Sequence, residues 1–375
     1  MISYYITLFI IISFFIIVFL INKNLIFKES KIITILRSKT INYLIKRILF
    51  ALVTLFIIIT VTFLLIRIMP KDYFYSTNEI NPLNNNNIYN TKDNIFKQLA
   101  NYYYSILPFP KKVCTSTYLE DGILVCNNYS YKIIDLGYSF SYMKNIRVWS
   151  IIKEKCSVSF IVGSLGFILQ CLIGYPLGIY MAKKKNSKIN KPVYILQIVI
   201  YSLPAILYFY LFVMFFMLVV KLPISFEINN YLSYLAPLIS LCLWGCFTVA
   251  YWVNKYISLE TNKDYVKFAT AKGISDNKIF YKHIVRNALT PLIRTIPTSL
   301  VLCLSGFYLL ESAFGIPGVG LTLITAINLQ DVYLVQGLIL FFSVTSISAY
   351  LLGDIITILL DKKVSLLKED KNYER

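Results

Sequence analysis

The chain has 375 residues, of which 57% are hydrophobic and only 15% charged, and its mean hydropathy is +0.64. A soluble domain of that size carries more charge, so a water-soluble enzyme is excluded at the outset. The net charge of +18 reads as cations gathered on the cytoplasmic face and at lipid headgroups, not as a nucleic-acid footprint.

A helical crossing needs roughly 20 apolar residues, and seven runs meet that length. The first is Ile2 to Ile21, in an N-terminal segment 1–22. It lacks the basic start and small-residue cleavage site of a signal peptide, so we read a retained membrane helix. Residues 23–47 form a basic linker, with seven cations against Glu29, which places the linker inside and the N-terminus outside. The second run is Ile48 to Met69, the first core helix (48–69), and Pro70 closes it. Residues 70–157 are polar and rich in Asn and Tyr, and are expected outside.

The membrane core is expected over 158–361. Its first run, Val158 to Ala182, ends at "KKKNSKINK", five lysines in nine residues and a cytoplasmic mark. Val193 to Val220 follows, with a kink expected at Pro204. Leu232 to Asn254 leads into a basic loop, 255–290. Pro291 to Leu310, a Gly-rich outer segment and Val332 to Leu360 complete the core, and a cytoplasmic tail covers 362–375. The predicted fold is thus an all-α polytopic membrane protein.

Little in the chain can do covalent chemistry. His283 is the only histidine, which argues against His-ligated metal and Ser-His catalysis. No H-E-x-x-H, G-x-S-x-G or Walker A sequence occurs. No catalytic residue, metal site or cofactor is expected. Cys171, Cys242, Cys246 and Cys303 lie in apolar runs and read as small buried hydrophobes. Cys114 and Cys126 share the outer segment, where an oxidising exterior would let them bond. Asp354 reads as an interfacial or packing residue, and Glu311 as solvated or locally paired.

The loop "DYVKFATAKGISDNKIFYKHIVRNALTPLIR" holds two short helix patterns. Thr261 and Asp264 have the spacing of a capping box for a helix over Asn262 to Lys272. Tyr265, Phe268 and Ala269 form one apolar patch on it, and Gly273 suits a left-handed cap. Ser275 caps a second helix bearing Ile279, Phe280, Ile284 and Ala288, and Pro291 marks entry to the next crossing. Such a helix either docks in a protein groove or lies on lipid.

These residues resemble the signature loop of binding-protein-dependent ABC importer permeases, in the oligopeptide/dipeptide/nickel family and its first-subunit branch. The pattern D-Y-V-x-x-A-x-A-K-G, then H-x-x-R-N-A-x-x-P, falls on Asp264, Tyr265, Val266, Ala269, Ala271, Lys272, Gly273, His283, Arg286, Asn287, Ala288 and Pro291. "IDLGYS" (134–139), "GYPLGI" (174–179), "SLP" (202–204), "ESAFGIPGVG" (311–320), "DVYLVQG" (331–337) and "GDIITILLD" (353–361) are similar to further family segments. The likeness runs from about Ile41 to Lys363. The sequence departs from the family in its extra first helix, its long outer segment, and Lys267-Phe268 where the broader importer motif has Glu-Ala.

The resemblance implies a six-helix type I importer core plus one extra helix, in the plasma membrane of a bacterium. It implies a non-catalytic permease that moves peptides with a second permease subunit, two cytosolic ATPases and an extracellular binding lipoprotein. The stretch 262–291, with Phe268 and its neighbours, would seat in an ATPase groove. Pro204, Glu311, Pro317, Gly318 and Gly320 would line the pathway or its outer gate. Nickel chelates or glutathione-like cargo on the same fold form the alternative. A stand-alone secondary transporter is disfavoured by the scarcity of charge in the spans.

Overall fold

The computed structural model describes residues 31–68, 94–120, 123–184, 187–223 and 226–360, without side chains at 31–45, 68, 115–127, 294 and 357–360. The expected helix over Ile2 to Ile21, the Asn-rich stretch after Met69 and the tail 362–375 lie outside these residues. The chain divides after Phe50 and before Ile358, and the sites described below lie in the larger unit, residues 51–357.

Helix α1 is Lys31–Ile68. It begins well before residue 48, so the expected boundary between linker and core helix falls inside one continuous element. Five helices among the described residues are long and apolar enough to cross a membrane: Lys46–Arg67 within α1, α3 (Val148–Lys183), α6 (Leu232–Thr261), α8 (Asp276–Ser305) and α11 (Val332–Leu360, its crossing part Val332–Ile356). Two bent pairs would bring the total to seven.

The first bent pair is α4 (Asn190–Ser202) and α5 (Ala205–Phe215, continued by a π-turn to Val220). Pro204 does more than kink this run: the two halves meet at 110°. Leu203 and Pro204 both take extended ψ angles, 135° and 131°. The residue before a proline is pushed out of the helical region, and proline itself has no N–H to donate. Two consecutive non-helical residues make a corner. A new helix starts when Tyr208 N–H donates to Pro204 O (3.1 Å).

The second pair, α9 (Tyr308–Phe314) and α10 (Val319–Asn328), bends by 80°. It occupies what the sequence suggested was an open Gly-rich segment. Leu310, Phe314, Ile316 and Val319 are buried.

Residues 94–132, in the polar segment after α1, hold a helix and a hairpin. Helix α2 (Ile95–Ile106) packs along α1. Tyr103 stacks on Phe56 (5.2 Å) and Tyr102 on Phe63 (5.6 Å). The Tyr103 hydroxyl reaches Phe56 O at 3.0 Å and shares a hydrogen bond with Thr60 Oγ1. Strands β1 (Lys111–Glu120) and β2 (Ile123–Lys132) then pair antiparallel, with register shifts between Cys114 and Thr117. This hairpin and an isolated bridge between Tyr138 and Arg147 depart from an all-α fold.

Asp135 follows the hairpin and is half-buried. Its side chain accepts from Gly137 N–H (3.2 Å), yet burial outweighs that bond and raises its pKa. A carboxyl with a raised folded pKa binds its proton more tightly when folded. Its contribution therefore favours the fold in acid and fades as pH climbs from the ordinary carboxylate value through the raised one. Asp135→Asn, which keeps an acceptor for Gly137, is expected to flatten that dependence. Melting curves between pH 4 and 7 (a span chosen from the reference carboxylate value of about 3.9 upward) check it; an unchanged slope would refute the assignment.

Candidate functional site: a basic loop seated on two helix ends

The loop after α6 begins about two turns later than expected, because the helix runs on to Thr261. Thr261 is the last residue of α6 and its hydroxyl donates back to Ile257 O (2.7 Å), so it caps nothing. Helix α7 is Asp264–Ala271, with Lys263 at its N-cap and no side-chain cap. Asp264 sits in the first turn, fully in solvent, and pairs with Lys267 (3.0 Å). The end of α7 follows the sequence reading. Gly273 has φ +73°, its N–H donates to Thr270 O (2.9 Å), and Ile274 N–H donates to Ala269 O (3.3 Å). This doubly bonded left-handed stop suits a glycine, which has no Cβ to clash.

The predicted apolar patch divides. Ala269 is buried, with Val266 beside it, in a seam that includes Ala182 of α3 and Val253 and Ile257 of α6. Tyr265 is half-buried; its hydroxyl donates to Glu260 Oε1 (3.1 Å). Burial, the largest influence, pushes the phenol above its ordinary value, against a hydrogen bond with Asn287. Phe268 turns the other way and is 62% exposed, with Lys272 Nζ 4.6 Å from its ring centre. On a helical wheel Tyr265, Val266 and Ala269 span about 100°. Phe268 stands at the edge of that arc, and the spacing could have assigned it to either side.

No separate second helix follows. Ser275 occupies an N-cap position without a side-chain bond, and the helix it opens continues through a π-turn, Ile279–Val285, into Arg286–Leu302. Pro291 therefore lies inside α8 and does not mark an entry point. Ile279, Ile284, Val285 and Ala288 join the seam with Ala269. Lys183, at the end of α3, donates to Tyr281 OH (3.1 Å) and lies over its ring. His283 is half-buried, and Ala271, Lys272, Arg286 and Asn287 are exposed.

A second cluster forms around Glu311 of α9. It was expected to be solvated or locally paired, but it is 2% exposed. Oε1 accepts from Ser159 Oγ of α3 (2.7 Å) and Oε2 from Leu321 N–H (2.9 Å). Ser159 in turn accepts from Val319 N–H (2.8 Å). The carboxylate thus pins the bent α9–α10 pair to α3. Gly318 is required by this approach: a Cβ there would lie 2.3 Å from Glu311 Cδ. Gly320 is buried and Pro317 half-buried.

A third contact was not foreseen. Asp331, fully buried, caps α11 by accepting from Leu334 N–H (3.2 Å). Its other oxygen accepts from Ser139 Oγ and from the N–H groups of Phe140 (3.0 Å), Ser141 (3.1 Å) and Tyr142 (3.1 Å). The quoted segments "IDLGYS" and "DVYLVQG" therefore meet through one carboxylate. Cys114 is buried and disulfide-bonded, while the side chain of Cys126 lies outside the described residues. Cys156, Cys171, Cys242, Cys246 and Cys303 are free thiols.

Residues 174–366, just over half the chain, match the profile of the binding-protein-dependent transport system inner membrane component. The chain belongs to that family. It is a multi-pass membrane component, and the family supplies no catalytic subunit. The oligopeptide transport system permease protein AmiC of Streptococcus pneumoniae is 34% identical over 214 residues, 56% of this chain and 43% of AmiC. The match thus spans less than half of that relative. The dipeptide transport system permease protein DppB of Bacillus subtilis is 26% identical over 330 residues, 87% of this chain and 99% of DppB. The nickel import system permease protein NikB of Staphylococcus aureus is 24% identical over 232 residues, 62% of this chain and 69% of NikB.

Proposed function

We propose that the protein is a peptide-importing permease subunit that pairs with a second permease and takes its energy from cytosolic ATPases. The observation that carries this reading is the two-faced helix α7. Its inner face is fixed to the ends of two spanning helices by an apolar seam, while Phe268 is held out under a lysine. A short helix rigidly attached to two spans transmits displacement in a way a mobile loop cannot. An aromatic held clear of its own fold has the form of a plug for a hydrophobic groove on a partner. Asp264, Tyr265, Ala269, Ala271, Lys272, Gly273, His283, Arg286 and Asn287 shape and support that plug.

The peptide assignment is drawn from the names of AmiC and DppB, and NikB makes a metal chelate the second reading. At the other end of the bundle an extracellular binding lipoprotein delivers cargo. The Glu311 cluster with Pro317, Gly318 and Gly320, and the corner at Pro204, form the gate region. A bond between Cys114 and Cys126 would brace the hairpin. In this orientation the C-terminus is cytoplasmic and the N-terminus outside.

The test is a cross-link. Phe268→Cys in an otherwise Cys-free chain, co-expressed with an ATPase carrying single cysteines along its candidate groove, is expected to cross-link with a yield that changes on adding ATP. Transport by the chain in liposomes lacking any ATPase, with no cross-link formed, would overturn the assignment.

A further inference from the structure

We propose that the inner end of the bundle carries a binding site for the phosphate headgroup of an anionic phospholipid. A cleft of about 250 Å³ opens between the end of α3, the start of α4 and the last third of α6, lined by Met181, Asn190, Lys191, Tyr194, Asn254 and Ser258. It contains one cation, two amides and two hydroxyls, and no carboxylate.

Four of its polar groups are held in place by hydrogen bonds within the protein. Asn190 Nδ2 donates to Met181 O (3.3 Å) and Lys184 O (3.0 Å), which ties the start of α4 to the end of α3. Tyr194 OH accepts from Asn254 Nδ2 and keeps its own proton to donate. Ser258 donates to Asn254 Oδ1 (3.4 Å). Lys191 has no ion-pair partner among the described residues. It lies in the first turn of α4, which holds no acid, so the partial positive charge of the helix end adds to the ammonium. With the other donors engaged within the protein, the Lys191 ammonium and the Tyr194 hydroxyl are left to donate into a cleft lined by no carboxylate, and that pair selects an anion.

The surroundings select a lipid over a free ion. Lys184 stacks over Tyr180 (5.4 Å) and Lys255 over Trp252 (4.8 Å), the pairing of cation and aromatic found at headgroup depth. One turn further along α4, Ile195, Ile198 and Val199 are exposed, an apolar track on which acyl chains can lie once the headgroup is seated. Basic pockets between spanning helices on the cytoplasmic side take anionic headgroups. The inference rests on this end facing the cytoplasm. The end is fixed relative to the α7 loop by the contact of Lys183 with Tyr281.

The experiment is native mass spectrometry of the full chain, purified in detergent with equal phosphatidylglycerol and phosphatidylcholine. Phosphatidylglycerol is expected to be retained preferentially. Lys191→Glu should lower its retention by about fivefold or more, and Tyr194→Phe by less, while Lys144→Glu, of equal charge change at a distant turn, leaves it unaltered. Should Lys191→Glu fail to fold, Lys191→Gln carries the same comparison. Equal retention in wild type and folded Lys191 variants would overturn the site. Complete displacement by inorganic phosphate would reassign it to a free anion and overturn the lipid. None of these readouts involves an ATPase, so their failure is distinct from failure of the coupling assignment.

Discussion

Replacing Asp331 by Ala is expected to release the turn at residues 139–142 from the top of α11. The wild-type carboxylate receives one hydroxyl and four N–H groups, and it is fully buried. Each buried donor left without an acceptor costs roughly 1–3 kcal/mol. Water entering the vacated space will satisfy some of the five, so a net local loss of about 3 kcal/mol is a conservative figure. That corresponds to about a hundredfold rise in amide exchange for Phe140, Ser141 and Tyr142. Asp331→Asn should fall between the two, because its amide keeps one acceptor but turns two donors toward other donors. Ser139→Ala removes two bonds, the one it donates to Asp331 and the one it accepts from Met143 N–H (3.0 Å), and should cost about 2 kcal/mol. If exchange at 140–142 is unchanged in Asp331→Ala, the carboxylate is not what holds this turn.

Asp331 also shows where the sequence falls silent. Both ends of the contact were in view, as "IDLGYS" and "DVYLVQG", and nothing in either string says that they touch. Their separation of 192 residues is bridged by the path of the intervening chain, which no local period encodes. Local signals fared better. The apolar runs from Ile48 onward each correspond to a spanning helix or a bent pair, because hydrocarbon demands length and apolarity from every crossing. The glycine stop at Gly273 was legible because one residue type suits that φ.

Other misses have distinct causes. Pro204 signalled a break but not its angle, which depends on Leu203 joining it in an extended conformation. Pro291 looked like a boundary, yet α8 accommodates it and Pro297 together; a span held by its neighbours tolerates prolines that would end an isolated helix. Phe268 lay at the edge of an arc where periodicity cannot choose. Its exposure is decided by what fills the seam beneath α7, and Ala269 and Val266 already fill it.

From sequence, Glu311 reads as solvated or locally paired, because a carboxylate at a helix end usually is. Gly306, Gly318 and Gly320, where an added Cβ would meet its carboxyl group, carry the contrary signal, and that signal can be tested. Gly318→Ala is expected to be strongly destabilising through the carboxylate and not through backbone strain, since Gly318 has φ −92°. The new Cβ would lie 2.3 Å from Glu311 Cδ and 2.5 Å from Ser159 Oγ, inside any tolerable contact. Glu311 would have to leave both Ser159 and Leu321 N–H, and relocating a buried carboxylate without its donors costs on the order of 3 kcal/mol. Glu311→Ala should cost a similar amount by leaving those donors unpaired. The informative variant is the double one. With the carboxylate gone the added methyl meets far less, so the pair should be less damaging than the sum of the singles, by about 1–3 kcal/mol. Thermal unfolding of the four proteins in one detergent measures the cycle. Strict additivity would mean that Gly318 is required for some reason other than the carboxylate above it, and the Glu311 cluster would lose its role as the pin between α3 and the α9–α10 pair.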